Sequence, residues 1–135
     1  MSEIITKVES SADGIRTVLV NMPDIAKDLN RPPAYITKYV GFILDVPTTV
    51  DSAANRYVIH GQVDIDRLSQ IINDFIDKYV ICPSCDSANT SIFVCRKVQP
   101  KMAIGDVALH CIHCGEMNAI IGDNKMEAFI QKNPQ

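Results

Sequence analysis

The sequence predicts an α+β protein in two parts, a small α/β domain over residues 1–80 and a four-cysteine ribbon over residues 81–135, on three observations. Strand-like and helix-like hydrophobic patterns alternate through the first 60 residues. From residue 64 to residue 80 apolar side chains recur at intervals of three and four, as one face of a long helix requires. Four of the five cysteines stand as two close pairs, Cys82 with Cys85 and Cys111 with Cys114. A chain of 135 residues has room for one domain, or one domain and a small module. Its 47% hydrophobic and 21% charged residues fit an ordinary folded protein, with no disordered or collagen-like signal.

In chain order, Arg16 to Val20 is β-branched enough for a strand, and Asn21 stands where it can cap a helix with Pro23 in its first turn and Ile25, Ala26 and Leu29 on one face. Asn30, Arg31, Pro32 and Pro33 break that helix. A second short helix is expected through Tyr35, Ile36, Tyr39 and Val40, closed by Gly41 in the left-handed conformation, to give a helix-turn-helix. Strands are expected over residues 42–46 and 56–60, joined by a polar loop. Ile65, Leu68, Ile71, Ile72, Phe75, Ile76 and Tyr79 then line the long linking helix, which runs into Cys82 and leaves almost no linker between the two parts. Residues 91–97, 107–112 and 117–121 read as short strands, and residues 123–130 carry a weak helical pattern.

A net charge of −3 and a pI near 5.5 mean that any contact with nucleic acid must come from a local basic patch. The longest apolar stretch, near residues 40–44, is far short of the roughly 20 residues that span a bilayer. The first ten residues lack the basic start, hydrophobic centre and small-residue cleavage pattern of an export signal. A cytoplasmic protein without a membrane partner is therefore expected, and in that setting paired cysteines favour metal over disulfides.

Each cysteine pair places two thiols at the tip of a tight turn, and two such turns give the four sulfurs of a tetrahedral zinc site with Zn–S distances of about 2.3 Å. Gly115 follows Cys114 where backbone of this kind turns to positive φ, and Asp86, at the matching place after Cys85, tolerates it better than most residues. The 25 residues between Cys85 and Cys111 exceed the usual spacing of about 15–20. Residues 99–106 account for the excess as an enlarged hairpin tip. Four thiolates leave no open position, so the expected cofactor is one structural zinc that hydrolyses nothing. The competing reading, two reduced thiol pairs or a redox dithiol, lacks the strand and helix that flank thioredoxin-like motifs. Cys95 reads as a small buried side chain on a ribbon strand. His110 and His113 read as surface imidazoles, with replacement of one thiolate as the alternative, and His60 has no partner identifiable from sequence.

The run TVLVNMPDIAKDLNRPPAYITKYVG, residues 17–41, resembles the initiation factor 2 beta/initiation factor 5 family, nearly position by position in the N-terminal domain of eukaryotic translation initiation factor 5. DRLSQIINDFIDKYVICPSC, residues 66–85, and FIQKNP, residues 129–134, match the same domain. The resemblance implies an α/β unit like that of initiation factor 1 followed by a zinc ribbon. It also implies partners: the G domain of the initiation factor 2 γ subunit, and the 40S pre-initiation complex with initiator tRNA and mRNA. The partner owns the nucleotide, and no P-loop motif or small-molecule substrate is expected here.

The resemblance further implies a GTPase-activating accessory protein without an active site of its own. An activator places positive charge against the transition state, and an arginine supplied in trans is worth about 10³ to 10⁵ in rate. The family's tail arginine, ahead of the first strand, has no counterpart in residues 1–135, whereas Arg16 matches a family lysine and Lys38 is retained. Arg16 and Lys38 are thus the candidate stimulatory cations, with solvated surface charge as the bland alternative. Arg31 and Arg56 are candidate partner or RNA contacts, and Arg31 serves equally well as a brace for its turn. Two loops depart from the family: residues 9–14 are acidic and lack its lysine, and Ala53 stands at another lysine position. The family's C-terminal helical-repeat domain does not appear in residues 1–135, as expected of either a piece of a longer protein or a short homologue. The alternative function is a non-activating binding module, β-subunit-like or a competitor. A ribbon that binds single-stranded nucleic acid through Phe93, Arg96, Lys97 and Lys101 is the third reading.

Overall fold

The computed structural model describes residues 3–135. The chain divides into two compact units between Asp74 and Phe75. The division falls inside the long helix, upstream of the 80/81 junction suggested by the sequence.

The first unit carries β1 (Thr6–Ser11), β2 (Gly14–Leu19), α1 (Met22–Leu29), α2 (Pro33–Leu44), β3 (Thr48–Asp51), β4 (Arg56–Ile59) and most of α3 (Ile65–Tyr79). Its antiparallel sheet has the order β1-β2-β4-β3. Met22, Ile25, Ile36, Tyr39, Ile59 and Leu68 are fully buried in its core. Thr17 is buried as well, and its hydroxyl donates to the Gly61 carbonyl at 2.7 Å and accepts from the Val63 amide at 3.2 Å. That exchange ties β2 to the segment entering α3, where the Asp64 carboxylate caps the helix by accepting from the Arg67 amide at 2.8 Å.

Two local expectations change. Asn21 occupies the cap position of α1 without a side-chain cap bond. Its amide instead accepts from the Ile5 N–H at 2.9 Å and donates to the Glu3 carbonyl, fastening the chain entering β1. The second change is larger: α2 runs through Gly41 to Leu44 and ends on Asp45 at φ 55, so residues 42–46 form no strand. Phe42, Ile43 and Leu44 are an apolar run too short to distinguish strand from helix. Gly41 serves close approach instead of helix termination, because a Cβ there would lie 2.4 Å from Thr48 Cγ2 on β3. The strand in this region is β3, where the sequence suggests loop. Strand β1 escapes the sequence pattern because most of its side chains are exposed and no alternation marks it.

The second unit takes the end of α3, then β5 (Thr90–Val94), β6 (Val107–Cys111), β7 (Met117–Ala119) and α4 (Asn124–Lys132). The strands pair antiparallel in that order. Phe75 and Tyr79 stack with ring centroids 5.3 Å apart, and the Tyr79 hydroxyl accepts from the Asp123 amide at 3.1 Å. The Asp123 carboxylate caps α4 by accepting from the Lys125 and Met126 amides, which lets Met126 and Ile130 bury completely. Among the described residues no helix is long and apolar enough to cross a membrane.

The contact at Gly41 is testable against helix propensity, which alone would make Gly41→Ala stabilising by about 1 kcal/mol. Overpacking against Thr48 should reverse the sign and cost about 1–3 kcal/mol, seen as a lower urea midpoint. Adding Thr48→Ser, which removes the opposing methyl, should recover most of the loss.

Candidate metal centre and surface cations

The two cysteine turns repeat one backbone pattern. In the first, the Asp86 amide donates to the Cys82 carbonyl at 2.8 Å and the Cys82 amide donates to the Ser87 carbonyl at 2.9 Å. In the second, the Gly115 amide donates to the Cys111 carbonyl at 2.9 Å and the Cys111 amide donates to the Glu116 carbonyl at 3.0 Å. Each turn needs a left-handed residue just after its second cysteine, supplied by Asp86 at φ 61 and Gly115 at φ 77. The first turn follows α3 and precedes β5, and the second joins β6 to β7. An Ile112 amide to Asn89 carbonyl bond of 3.1 Å and the pairing of Thr90 with Cys111 hold the turns together.

The result brings Cys82, Cys85, Cys111 and Cys114 into one cluster whose sulfurs all lie within 4.8 Å of one another. Cys82 Sγ is 3.7 Å from Cys114 Sγ, and Cys85 Sγ is 3.6 Å from Cys111 Sγ. A disulfide would need about 2.0 Å. A tetrahedron with arms of about 2.3 Å has edges of about 3.8 Å, so the donor set fits a four-thiolate metal ion. As bare thiols the four compete for protons. A backbone hydrogen bond from Ser87 favours the Cys85 thiolate, yet desolvation and the sulfurs of Cys111, Cys114 and Cys82 push it up to about 12. Cys111, favoured first by the Cys114 backbone, falls to about 7. A divalent cation removes the competition by charge compensation.

Cys95 lies outside the cluster. It is 2% exposed, packs with Met102, Ala108 and Phe93, and donates its thiol proton to the Lys97 carbonyl at 2.9 Å. His110 and His113 are exposed, and neither belongs to the sulfur cluster. His60 Nε2 lies 2.7 Å from Thr49 Oγ1, a partner across the β3–β4 ladder.

The four cations singled out by the sequence sit on different elements of the first unit. Arg16 is half-buried on β2, opposite Glu9 in the β1 register and 3.6 Å from the Asp13 carboxylate. Arg56, at the start of β4, pairs with Glu9 at 2.6 Å. The hydrogen bond from Arg56 holds the Glu9 carboxyl below its ordinary pKa. The acidic loop is legible in the sequence, but its pairing with these two arginines is not, because Glu9 and Arg56 are far apart in the chain. Lys38 is half-buried on α2, next to Tyr39, whose hydroxyl donates to the Asp74 carboxylate. Arg31 is 3% exposed and donates to the Asn30 carbonyl at 2.8 Å, bracing the turn between α1 and α2. Desolvation by burial lowers its pKa to about 10 despite the opposing effect of Tyr35.

The family described as the domain found in initiation factors 2B and 5 matches residues 1–117. Over 134 residues the chain is 40% identical to eukaryotic translation initiation factor 5 of Mus musculus. The identity is 37% to the probable factor 5 of Schizosaccharomyces pombe and 34% to the factor 5 of Saccharomyces cerevisiae. Each alignment covers 99% of this chain but only 30%, 32% and 31% of the respective relative, so the chain spans about a third of their length.

Cobalt(II) titration should show thiolate-to-metal charge-transfer absorption saturating at one equivalent. Replacing any one of Cys82, Cys85, Cys111 or Cys114 by Ser should weaken binding by more than the roughly 10- to 100-fold that loss of an outer-shell partner costs. Cys95→Ser should leave it unchanged. Because binding expels thiol protons, affinity should fall as the pH is lowered. Equal binding by Cys95→Ser and Cys111→Ser would rule out this ligand set.

Proposed function

The chain belongs to the family of domains found in initiation factors 2B and 5, and from that premise we propose that it docks on GTP-bound initiation factor 2 and promotes its GTP hydrolysis during start-codon selection. The observation that carries this reading is identity of 34–40% with initiation factor 5 across 99% of the chain, a span that includes Arg16 and Lys38. The γ subunit's G domain would hold the nucleotide, and the cations of this chain would meet the charge that spreads over the transferred phosphoryl oxygens. Arg16 offers a planar fork of donors and Lys38 a compact point charge. Arg56 is the candidate contact to RNA in the 40S pre-initiation complex, where phosphate binding depends on local cations. Arg31 acts by holding the α1–α2 turn that precedes Lys38. The setting is cytoplasmic.

The ion at the four cysteines is zinc in this reading, because four soft thiolates in tetrahedral array suit it. Cys82, Cys85, Cys111 and Cys114 would hold it with no position left for water, so its contribution is to order the ribbon. A second reading, a non-activating binding module that competes for the docking surface, draws support from the ion pairs of Arg16 with Asp13 and Arg56 with Glu9. Those carboxylates compete with any phosphate for the same cations.

Single-turnover hydrolysis by GTP-loaded initiation factor 2 carrying initiator tRNA on small ribosomal subunits separates the two readings. Acceleration by this chain, reduced about 10- to 100-fold in Arg16→Met or Lys38→Ala, is the expected result, since a hydrogen bond to a charged group is worth about 1.5–3 kcal/mol. Inhibition of added full-length initiation factor 5 without acceleration would establish the competing module.

A further inference from the structure

The ribbon sheet has two outer edges, β5 and β7, and they differ. On β5 the Ile92 amide donates to the Gln135 side chain at 3.2 Å. On β7 the Cys111 amide donates to the Glu116 carbonyl at 3.0 Å and the Ile120 amide to the Val107 carbonyl at 2.8 Å, with Asn118 opposite Leu109 between them. Antiparallel bonding alternates, so Asn118 and Ile120 turn their backbone groups toward β6 while Met117 and Ala119 turn theirs away. Among the described residues those outward groups have no hydrogen-bond partner. Lys and Pro, the usual guards of an open edge, are both missing from residues 112–124. Beside the edge lies a groove of about 460 Å³, lined by Asp77, Ile81, Pro83 and Asp86 from α3 and the first cysteine turn, and by Ala119 and Ile121 from β7 and the segment after it. Asn118 Nδ2 donates to Ser84 Oγ at 3.3 Å and ties β7 to that turn. Ile121 is 93% exposed.

Charge at this edge has one sign. Residues 79–95 and 102–124, which hold both cysteine turns and all three strands, contain no Lys or Arg but four carboxylates, Asp86, Asp106, Glu116 and Asp123. Asp106 and Asp123 accept from backbone amides. Asp77, Asp86 and Glu116 are exposed, and among the described residues none of them forms an ion pair. Lys78 is the one cation among the described residues lining the groove, and the hairpin cations Arg96, Lys97 and Lys101 line no part of it. Four thiolates around a dication would remain a net anion and add to the same sign. We propose that the β7 edge takes an extended, basic segment of a partner protein as a fourth strand of the ribbon sheet. Met117 and Ala119 exchange backbone hydrogen bonds with it, its aliphatic side chains cover Ile81, Pro83 and Ile121, and its Lys or Arg side chains meet Asp77 and Asp86. Charge selects this occupant, because a nucleic-acid strand, an acidic peptide or a second copy of the same edge would each bring negative charge against negative charge. The inference is independent of the GTPase reading.

Fluorescence anisotropy on the metal-loaded chain tests it with four labelled probes: a soluble synthetic peptide rich in Lys and Val, its Glu–Val counterpart, its backbone N-methylated form, and an oligouridylate. The Lys–Val peptide should bind, and the N-methylated form, which cannot donate to a strand edge, should bind about tenfold more weakly or worse. Ala119→Pro removes an outward donor and leaves the bonds of Asn118 and Ile120 to β6, and it should weaken binding by at least about tenfold. Asp77→Asn with Asp86→Asn, in which Asn tolerates the left-handed backbone at residue 86, should weaken it about three- to tenfold. Hydrogen exchange of the Met117 and Ala119 amides in the unsubstituted chain should slow on binding, a readout that does not depend on the variants folding. Failure of the Lys–Val peptide to bind, equal binding of the Glu–Val or N-methylated peptide, or unchanged exchange at Met117 and Ala119 would overturn the proposal. So would indifference to either variant, tighter binding of the oligouridylate, or a dimer of the chain that Ala119→Pro abolishes, which would give the edge to a second copy.

Discussion

The second unit depends on one electrostatic constraint: four thiols brought within 4.8 Å of one another cannot all ionise without a cation among them. Its strands have five, five and three residues, and a module this small is poorly stabilised by its own core. The cysteine turns supply the missing restraint by joining the segment after α3 to the loop between β6 and β7. The repeated backbone bonding of the two turns brings the four sulfurs into one cluster. The register of β5 on β6 begins at one of the ligands, Thr90 opposite Cys111, and the rest of the sheet follows from that pair.

Closed coordination bears on the proposed function. Four thiolates would leave an ion no open site, so in that reading the chain acts through its surface on a partner. The surface of the first unit is conditioned by its own acidic hairpin. Asp13 and Glu9 stand against Arg16 and Arg56, and exposed pairs of this kind are worth little in stability, so they can give way to a better anion. Arg31 is different, because its guanidinium is buried and its donors serve carbonyls at a helix junction. The chain belongs to the family of domains found in initiation factors 2B and 5 and is similar to initiation factor 5.

Most of the elements that carry the centre were legible in the sequence because they rest on strong local rules. The α3 periodicity, the paired cysteines, positive φ at Gly115 and Asp86, and burial of Cys95 each follow from chemistry within a few residues. The misreadings arose where a long-range contact overrides a local preference. Gly41 resembles a helix terminator until Thr48 is seen packed on it, and Asn21 resembles a helix cap until Ile5 and Glu3 claim its amide. Pairing of Glu9 with Arg56 depends on distant segments meeting, which no local pattern encodes.

In the proposed reading one ion is enclosed by Cys82, Cys85, Cys111 and Cys114 and closed to substrate. X-ray absorption at the metal edge of the purified chain measures it directly. Four sulfur scatterers at about 2.3 Å and no nitrogen or oxygen neighbour are expected. A light scatterer at about 2.0–2.1 Å would mean that a histidine or a solvent oxygen has entered the first shell, and a closed structural site would then be the wrong description.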